Sequence, residues 1–232
     1  MRTSFWTRLL DVVAPRVCAV CGARLTAGER VLCAVCHLHL PLTGYEHSPL
    51  SNPLARLFWG HFPVEHAAAL FFFEPHSATS QMIYDMKYRS MPETAQALGA
   101  IAARQFAAAG FFTGIDAVVP VPVTRLRKWQ RGYNQSMEIT LGIKEVTELP
   151  IYNNVLKRIH FKASQTTMNA QQRKFNVEGA FALTNPGLIA HKHILLVDDI
   201  VTTGSTLIAC GRELAKAPGT RISILTLGMT KT

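Results

Sequence analysis

Charge is scarce in this 232-residue sequence, and no long apolar stretch interrupts it. Asp, Glu, Lys and Arg make up 17% of the chain against 48% hydrophobic residues, a balance that buries a core and excludes disorder. Acidic residues are the scarcer sign, 15 against 24 Lys and Arg, for a formal net charge of +9 and a pI near 9.6. With 15 Gly and 12 Pro the chain is no collagen, and it holds no coiled coil, internal repeat or low-complexity tract. No run approaches the roughly 20 apolar residues of a membrane span; the most apolar, Ala67 to Phe73, stops at Glu74-Pro75. Met1 to Pro15 mixes Arg2, Arg8 and Asp11 with Phe5, Trp6, Leu9 and Leu10, too polar and too short for a secretory h-region. It reads as a short amphipathic helix in a soluble, cytoplasmic protein without stable membrane insertion.

Cysteine is sparse but clustered. Cys18, Cys21, Cys33 and Cys36 fall in two Cys-x2-Cys pairs, and Cys210 lies alone. Each pair is a turn that brings two thiolates to one ion, and two such turns complete a closed tetrahedral site, structural rather than catalytic. Gly22 and Gly28 permit the tight hairpin between them. The alternatives are disulfides, which need an oxidising compartment, or four buried thiols; His37 and His39 are available as substitute ligands. Structural zinc is the expectation. Cys210, on an expected helix, reads as a small buried hydrophobe.

Residues 1–45 therefore form an N-terminal helix and ribbon. Leu40 to Pro63 holds four prolines and two glycines, which places a linker or irregular crossover at 46–64. From 65 to 232 short apolar runs alternate with helical periodicity, the order of an α/β domain with a parallel sheet flanked by helices. The runs are Ala67 to Phe73, Ala117 to Val121, His193 to Val197 and Arg221 to Leu227; the predicted helices are Ser77 to Arg89, Glu93 to Ala109, Asn134 to Val146 and Ser205 to Lys216.

The strongest chemistry is in His193 to Thr206, where an apolar strand runs into Asp198 and Asp199, then Thr202-Thr203-Gly204-Ser205-Thr206, then a helix. Loop N–H groups and a helix N-terminus bind an anion, with the hydroxyls as added donors. Two carboxylates cannot share that phosphate, so they face sugar hydroxyls or Mg²⁺. A ribose phosphate satisfies both demands. No Gly-Lys-Ser/Thr follows, which excludes a Walker loop, and a dinucleotide fingerprint would need more glycines. A plain βα turn capped by Asp198 and Thr202 is the bland alternative.

Basic charge gathers elsewhere. Residues 121–180 hold ten Lys and Arg against four Glu, which is +6 of the net +9. Within them Arg125, Arg127, Lys128 and Arg131 interleave with Trp129 and Tyr133. Such a stretch either tracks single-stranded nucleic acid, with rings stacking on bases, or holds pyrophosphate with its aromatics in the core. Composition leaves the two open.

Leu195 to Thr206 resembles the phosphoribosyl pyrophosphate (PRPP) signature of type I phosphoribosyltransferases. Val119-Pro120-Val121-Pro122 and Arg131-Gly132-Tyr133-Asn134-Gln135-Ser136 narrow the resemblance to the ComF family, a zinc ribbon joined to a phosphoribosyltransferase domain, and it covers nearly the whole chain. Gln165, Arg173, Asn176 and Val177, through Gly179-Ala180-Phe181, are similar to that family's mobile loop and following strand. Met82 to Arg89, with Lys87, is similar to the segment lining its pyrophosphate pocket. Ser90 departs from the expected glycine, which puts that loop's backbone shape in doubt.

The resemblance implies a type I phosphoribosyltransferase fold over 65–232 behind the ribbon. It assigns Lys87 to pyrophosphate, Asp198 and Asp199 to ribose and Mg²⁺, Thr202 to Thr206 to the 5′-phosphate, and Arg131, Arg158 and Arg173 to charge stabilisation. Association of the family with natural transformation turns the basic stretch toward single-stranded DNA, with DNA-uptake or recombination proteins as expected partners. The implied role is handling of incoming DNA by a PRPP- and Mg²⁺-binding protein. Its rivals are an active nucleobase phosphoribosyltransferase and a PRPP-sensing regulator. Salvage of 6-oxopurines is disfavoured, because such enzymes carry an aspartate base where Thr202 stands.

Overall fold

The computed structural model describes residues 15–75, 77–89, 91–159 and 179–231. The helix expected before Pro15, Ser90, and the mobile-loop residues Gln165, Arg173, Asn176 and Val177 lie outside the described residues. In chain order the elements are α1 (Ala34–Leu38), α2 (Pro53–Arg56), β1 (Val64–Phe73), α3 (Ala78–Tyr88), α4 (Pro92–Ala108), β2 (Ala117–Pro120), α5 (Arg125–Arg131), α6 (Gln135–Thr147), β3 (Leu156–Arg158), β4 (Phe181–Leu183), β5 (His193–Val201), α7 (Ser205–Leu214) and β6 (Arg221–Thr230).

The four apolar runs pair as a parallel sheet in the order β1-β6-β5-β2. Side chains alternate across a strand, so each run feeds two cores. Ala68, Leu70, Leu195, Val197, Leu225 and Leu227 face α4 and α6. Ala67, Ala69, Ile194, Leu196, Ile222 and Ile224 face the α2 segment, α7 and the antiparallel β3–β4 pair. Burial on both faces is why these strands read as continuous apolar runs.

Two strands outrun their apolar stretches. β5 continues past Val197 because Asp198, Ile200 and Val201 keep parallel partners in Thr226, Gly228 and Met229, and β6 extends to Thr230 because Phe73 of β1 pairs with it. The predicted helices are displaced by about a residue where a cap stands at the boundary: the Ser77 side chain accepts from Ser80 N–H and that of Asn134 from Ser136 N–H. Leu40 to Pro63 is irregular yet pinned. Leu54 and Phe58 are fully buried, and Asn52 Nδ2 donates to Ala67 O at 2.7 Å while its Oδ1 accepts from Ala55 N–H at 2.9 Å.

The ribbon docks on the helical layer. Cys18, Val31, Leu32 and Leu40 share one apolar cluster with α4, and Arg30 meets Glu145 of α6 at 2.8 Å. Beneath it α4 and α6 cross at glycines. A Cβ on Gly99 would lie 2.1 Å from Ile139 O, and one on Gly142 1.9 Å from Gln96 O. Backbone cannot yield at that distance, so the crossing depends on both residues. Gly142→Ala is expected to lower stability by about 1–3 kcal/mol in urea unfolding, whereas Gly187→Ala, with open space around it, should leave the midpoint unchanged.

Candidate functional site

Sulfur geometry defines the first centre. The four Sγ atoms of Cys18, Cys21, Cys33 and Cys36 all lie within 4.8 Å of one another, with Cys21 and Cys33 at 3.7 Å. A tetrahedron of Zn–S bonds of about 2.3 Å places its sulfurs about 3.8 Å apart, so the donor set fits a closed four-thiolate site. Burial opposes ionisation of Cys18, but N–H groups of Cys33, Cys21 and Val20 outweigh it and lower the thiol to about 6.

A second centre forms where β5 ends. Asp198 Oδ1 accepts from Ser136 Oγ at 2.9 Å and from Asp199 N–H at 3.0 Å. Asp199 Oδ2 lies 2.9 Å from Lys87 Nζ, while its Oδ1 accepts from Ile200 N–H at 2.6 Å. Burial and the neighbouring Asp199 charge push the Asp198 carboxyl up to about 7, against the pull of Ser136. This is an acid pair short of positive charge, the donor set that a divalent cation or sugar hydroxyls relieve.

The chain then turns through Thr202 and Thr203 to Gly204, whose φ of 73° is open to glycine at little cost. Gly204 N-caps α7 without a side chain, which leaves the first helical N–H groups facing the loop. Asp198, Thr202, Thr203, Ser205 and Thr206 help line a cavity of about 40 Å³ there. Thr203 Oγ1 donates to Ser205 Oγ at 3.2 Å. The loop is backed by Leu57 and Phe58 of the α2 segment, which a Cβ on Gly204 would touch.

Cations approach the acid pair from α3 and β3. Lys87 comes from α3, and Arg158 ends β3 with its guanidinium 5.1 Å from the Phe181 ring centroid. Burial, with the nearby Arg127 charge, holds Arg158 below its usual range. Arg131 Nη1 donates to Gln135 Oε1 at 3.0 Å, and its guanidinium lies over Tyr88. α5 itself buries no residue; Arg125, Arg127 and Lys128 are exposed, Leu126 is 58% and Trp129 82% exposed. Trp129 is thus an exposed ring set among exposed cations.

Of the residues singled out in the sequence, Lys87, Asp198, Asp199 and the Thr202 to Thr206 loop come together. Arg173 falls outside the described residues. Tyr133 requires a correction: its ring is 8% exposed and its hydroxyl donates to Met86 O, so it packs beneath α3 and offers no face to a base. Ser136 was missed as the Asp198 partner. Its signal was present in Asn134-Gln135-Ser136, where Asn134 also donates from Nδ2 to Val121 O at 3.1 Å and fixes the start of α6.

Residues 91–228 match the phosphoribosyl transferase domain family. Competence protein F of Haemophilus influenzae is 34% identical over 102 residues, 44% of this chain and 44% of that protein. DNA utilization protein YhgH of Escherichia coli is 29% identical over 217 residues, 92% of this chain and 90% of that one. Among solved structures, the glutamine phosphoribosylpyrophosphate (PRPP) amidotransferase of B. subtilis complexed with ADP and GMP superposes with a TM-score of 0.43 at 19% identity, over 61% of this chain and 30% of that one.

The raised Asp198 carboxyl sets a pH signature. The folded state holds that proton more tightly than the unfolded chain, whose ordinary value is 3.8, so ionisation removes stability as pH climbs from about 4 to about 7. Asp198→Asn removes the loss. Its stability gain over the unsubstituted, ligand-free chain should grow by about 2 kcal/mol between pH 5 and pH 8, read from urea unfolding at both; an equal gain at both would exclude charge burial.

Proposed function

The chain belongs to the phosphoribosyl transferase domain family and, within it, to the ComF group, and on that premise we propose that it binds PRPP with Mg²⁺ and acts on incoming single-stranded DNA. The observation that carries the reading is the union of the Lys87–Asp199 pair, Asp198 and the uncapped loop at one strand end. In this reading loop N–H groups and the hydroxyls of Thr202, Thr203, Ser205 and Thr206 hold the 5′-phosphate. Asp198 and Asp199 hold ribose hydroxyls and Mg²⁺, which supplies the charge that steadies a pyrophosphate leaving group. Lys87 is poised between Asp199 and the pyrophosphate, and Arg131 and Arg158 balance the remaining negative charge. Arg173 joins them by resemblance alone. Zinc in the four-cysteine cluster fixes the ribbon against α4.

The family relatives named for competence and DNA utilization support DNA as the macromolecular ligand. The exposed α5 is the surface that suits it, with Arg125, Arg127 and Lys128 on the backbone and Trp129 on a base. Among the described residues no helix is long and apolar enough to cross a membrane.

Three measurements test the reading. Isothermal titration with PRPP and Mg²⁺ should show affinity falling more than about tenfold in Asp198→Asn/Asp199→Asn, about 1.4 kcal/mol or more, with the fold kept. Phosphorus NMR on the same samples separates roles: intact, broadened PRPP signals fit a ligand-binding protein, and pyrophosphate released only with a free base identifies a nucleobase transferase. For DNA, anisotropy with a labelled oligothymidylate should give a log-log salt slope of about −0.7 per phosphate neutralised, and Trp129→Ala should weaken binding by about tenfold. A flat salt response removes DNA from the reading.

A further inference from the structure

Between the ribbon and α4 lies a cleft of about 610 Å³, walled by ribbon residues 28–32, Ala34 and His37 and by Ala97, Ile101, Arg104 and Gln105 of the helix. That size, at the junction of two units, is ordinary for a ligand site. It shares no residue with those given above to ribose phosphate or to DNA. Positions 97, 101, 104 and 105 repeat at helical spacing, so the helix turns one stripe toward the ribbon. Val31, Leu32, Ala97 and Ile101 make the floor aliphatic, and no Phe, Tyr or Trp lines it. An unpaired base needs a ring to stack on, whereas a branched alkyl side chain needs only such a floor.

Charge stands at the rim. Arg104 is exposed, and no partner holds it among the described residues. Arg30 meets Glu145 through Nη1 alone, at 2.8 and 2.9 Å, so Nε and Nη2 remain as donors. The carboxylate in the wall, Glu29, is turned on the ribbon itself: Oε2 accepts from Thr26 N–H at 2.7 Å and Oε1 from Ala34 N–H at 2.6 Å. Gln105 donates from Nε2 to the buried Glu46 at 2.6 Å, which leaves its own carbonyl oxygen as an acceptor. Two guanidiniums are few for a polyanion, whose retention grows with the number of phosphates neutralised. They match a single carboxylate, which a guanidinium fork takes through two parallel bonds. Ile101 and Arg104 are one turn apart, about 5–6 Å between Cβ atoms, a span that the side chain and the carboxylate of one terminal residue cover.

We propose that this cleft holds the C-terminus of a partner protein. The last residue lays an aliphatic side chain on Val31, Leu32, Ala97 and Ile101, sets its carboxylate on Arg104 and Arg30, and donates its amide N–H to Gln105 Oε1. An occupant touches both walls and so holds the ribbon against α4. The site is independent of whether PRPP occupies the Asp198 to Thr206 loop.

An array of hexapeptides varied in their last three residues, probed with the full zinc-loaded chain, reads the preference, and anisotropy with the best labelled peptide gives its affinity. Binding should select Leu, Ile, Val or Met at a free C-terminus. The same peptide as its C-terminal amide should bind about tenfold more weakly, and Arg104→Gln should cause a loss of that size. Arg104→Lys, which keeps the charge without the fork, should restore affinity only in part. Arg125→Gln on α5 should leave it within about twofold. The urea midpoint checks that the Arg104 variants fold, and the comparison of acid with amide needs no variant. Equal affinity for acid and amide, or no loss in a folded Arg104→Gln, overturns the proposal. Displacement of the peptide by unlabelled oligothymidylate gives the cleft to DNA and overturns it as well, as does an array on which the unsubstituted chain binds nothing.

Discussion

Two carboxylates at adjacent positions on one strand repel each other, and a fold that keeps both must bring compensating charge and hydrogen bonds from elsewhere in the chain. Here β5 carries Asp198 and Asp199, α3 supplies Lys87 and α6 supplies Ser136. Those three elements occupy separate stretches of sequence, so the acid pair fixes how the helical layer must close over the C-terminal end of the sheet. The compensation is incomplete, since burial and Asp199 still hold the Asp198 carboxyl far above its ordinary range. A site left short of positive charge when empty gains more from a ligand that brings Mg²⁺.

Delivery of Ser136 depends on backbone contact well away from it. Gly99 and Gly142 let α4 and α6 touch main chain to main chain, which sets the height of α6 and hence of its first turn. Asn134 pins that turn twice, capping Ser136 N–H and donating to Val121 O at the end of β2. Tyr133, just before it, donates to Met86 O in α3. One short segment thus locks α3, β2 and α6 together around the acids. This explains why the aromatic ring at 133 is spent on the core while the one at 129, on a helix with no buried residue, is left to solvent.

Much of this was legible in the sequence. Doubly buried parallel strands print as unbroken apolar runs, and Ser77 and Asn134 mark helix starts through their capping chemistry. The four cysteines and the Asp-Asp-loop-helix segment were legible because their chemistry needs fixed local spacing. What spacing cannot show is contact across the chain. The Lys87–Asp199 pair, the Ser136 bond and the sheet order are products of topology alone. β3 and β4, three residues each, are too short to carry a period, and the polar end of β5 reads as a strand stop until β6 pairs with it. Tyr133 was misread because a basic neighbourhood looks alike whether its ring turns outward or inward.

The arrangement also divides the work of charge. Lys87 is one-fifth exposed and engaged with Asp199, so its energy depends on the occupant of the site and little on salt. Arg125, Arg127 and Lys128 on α5 are exposed, where a single ion pair is worth little but a row of cations gains by releasing counterions from a strand. Under the proposed function the first group would select a small phosphorylated ligand by geometry and the second would hold a polyanion by number. Arg131 stands between them, bonded to Gln135 at the start of α6 and lying over Tyr88 at the end of α3. Arg131 and Tyr88 therefore join the exposed cations of α5 to α3, the helix whose Lys87 engages the acid pair, so the two kinds of charge are mechanically coupled through one cation–ring contact.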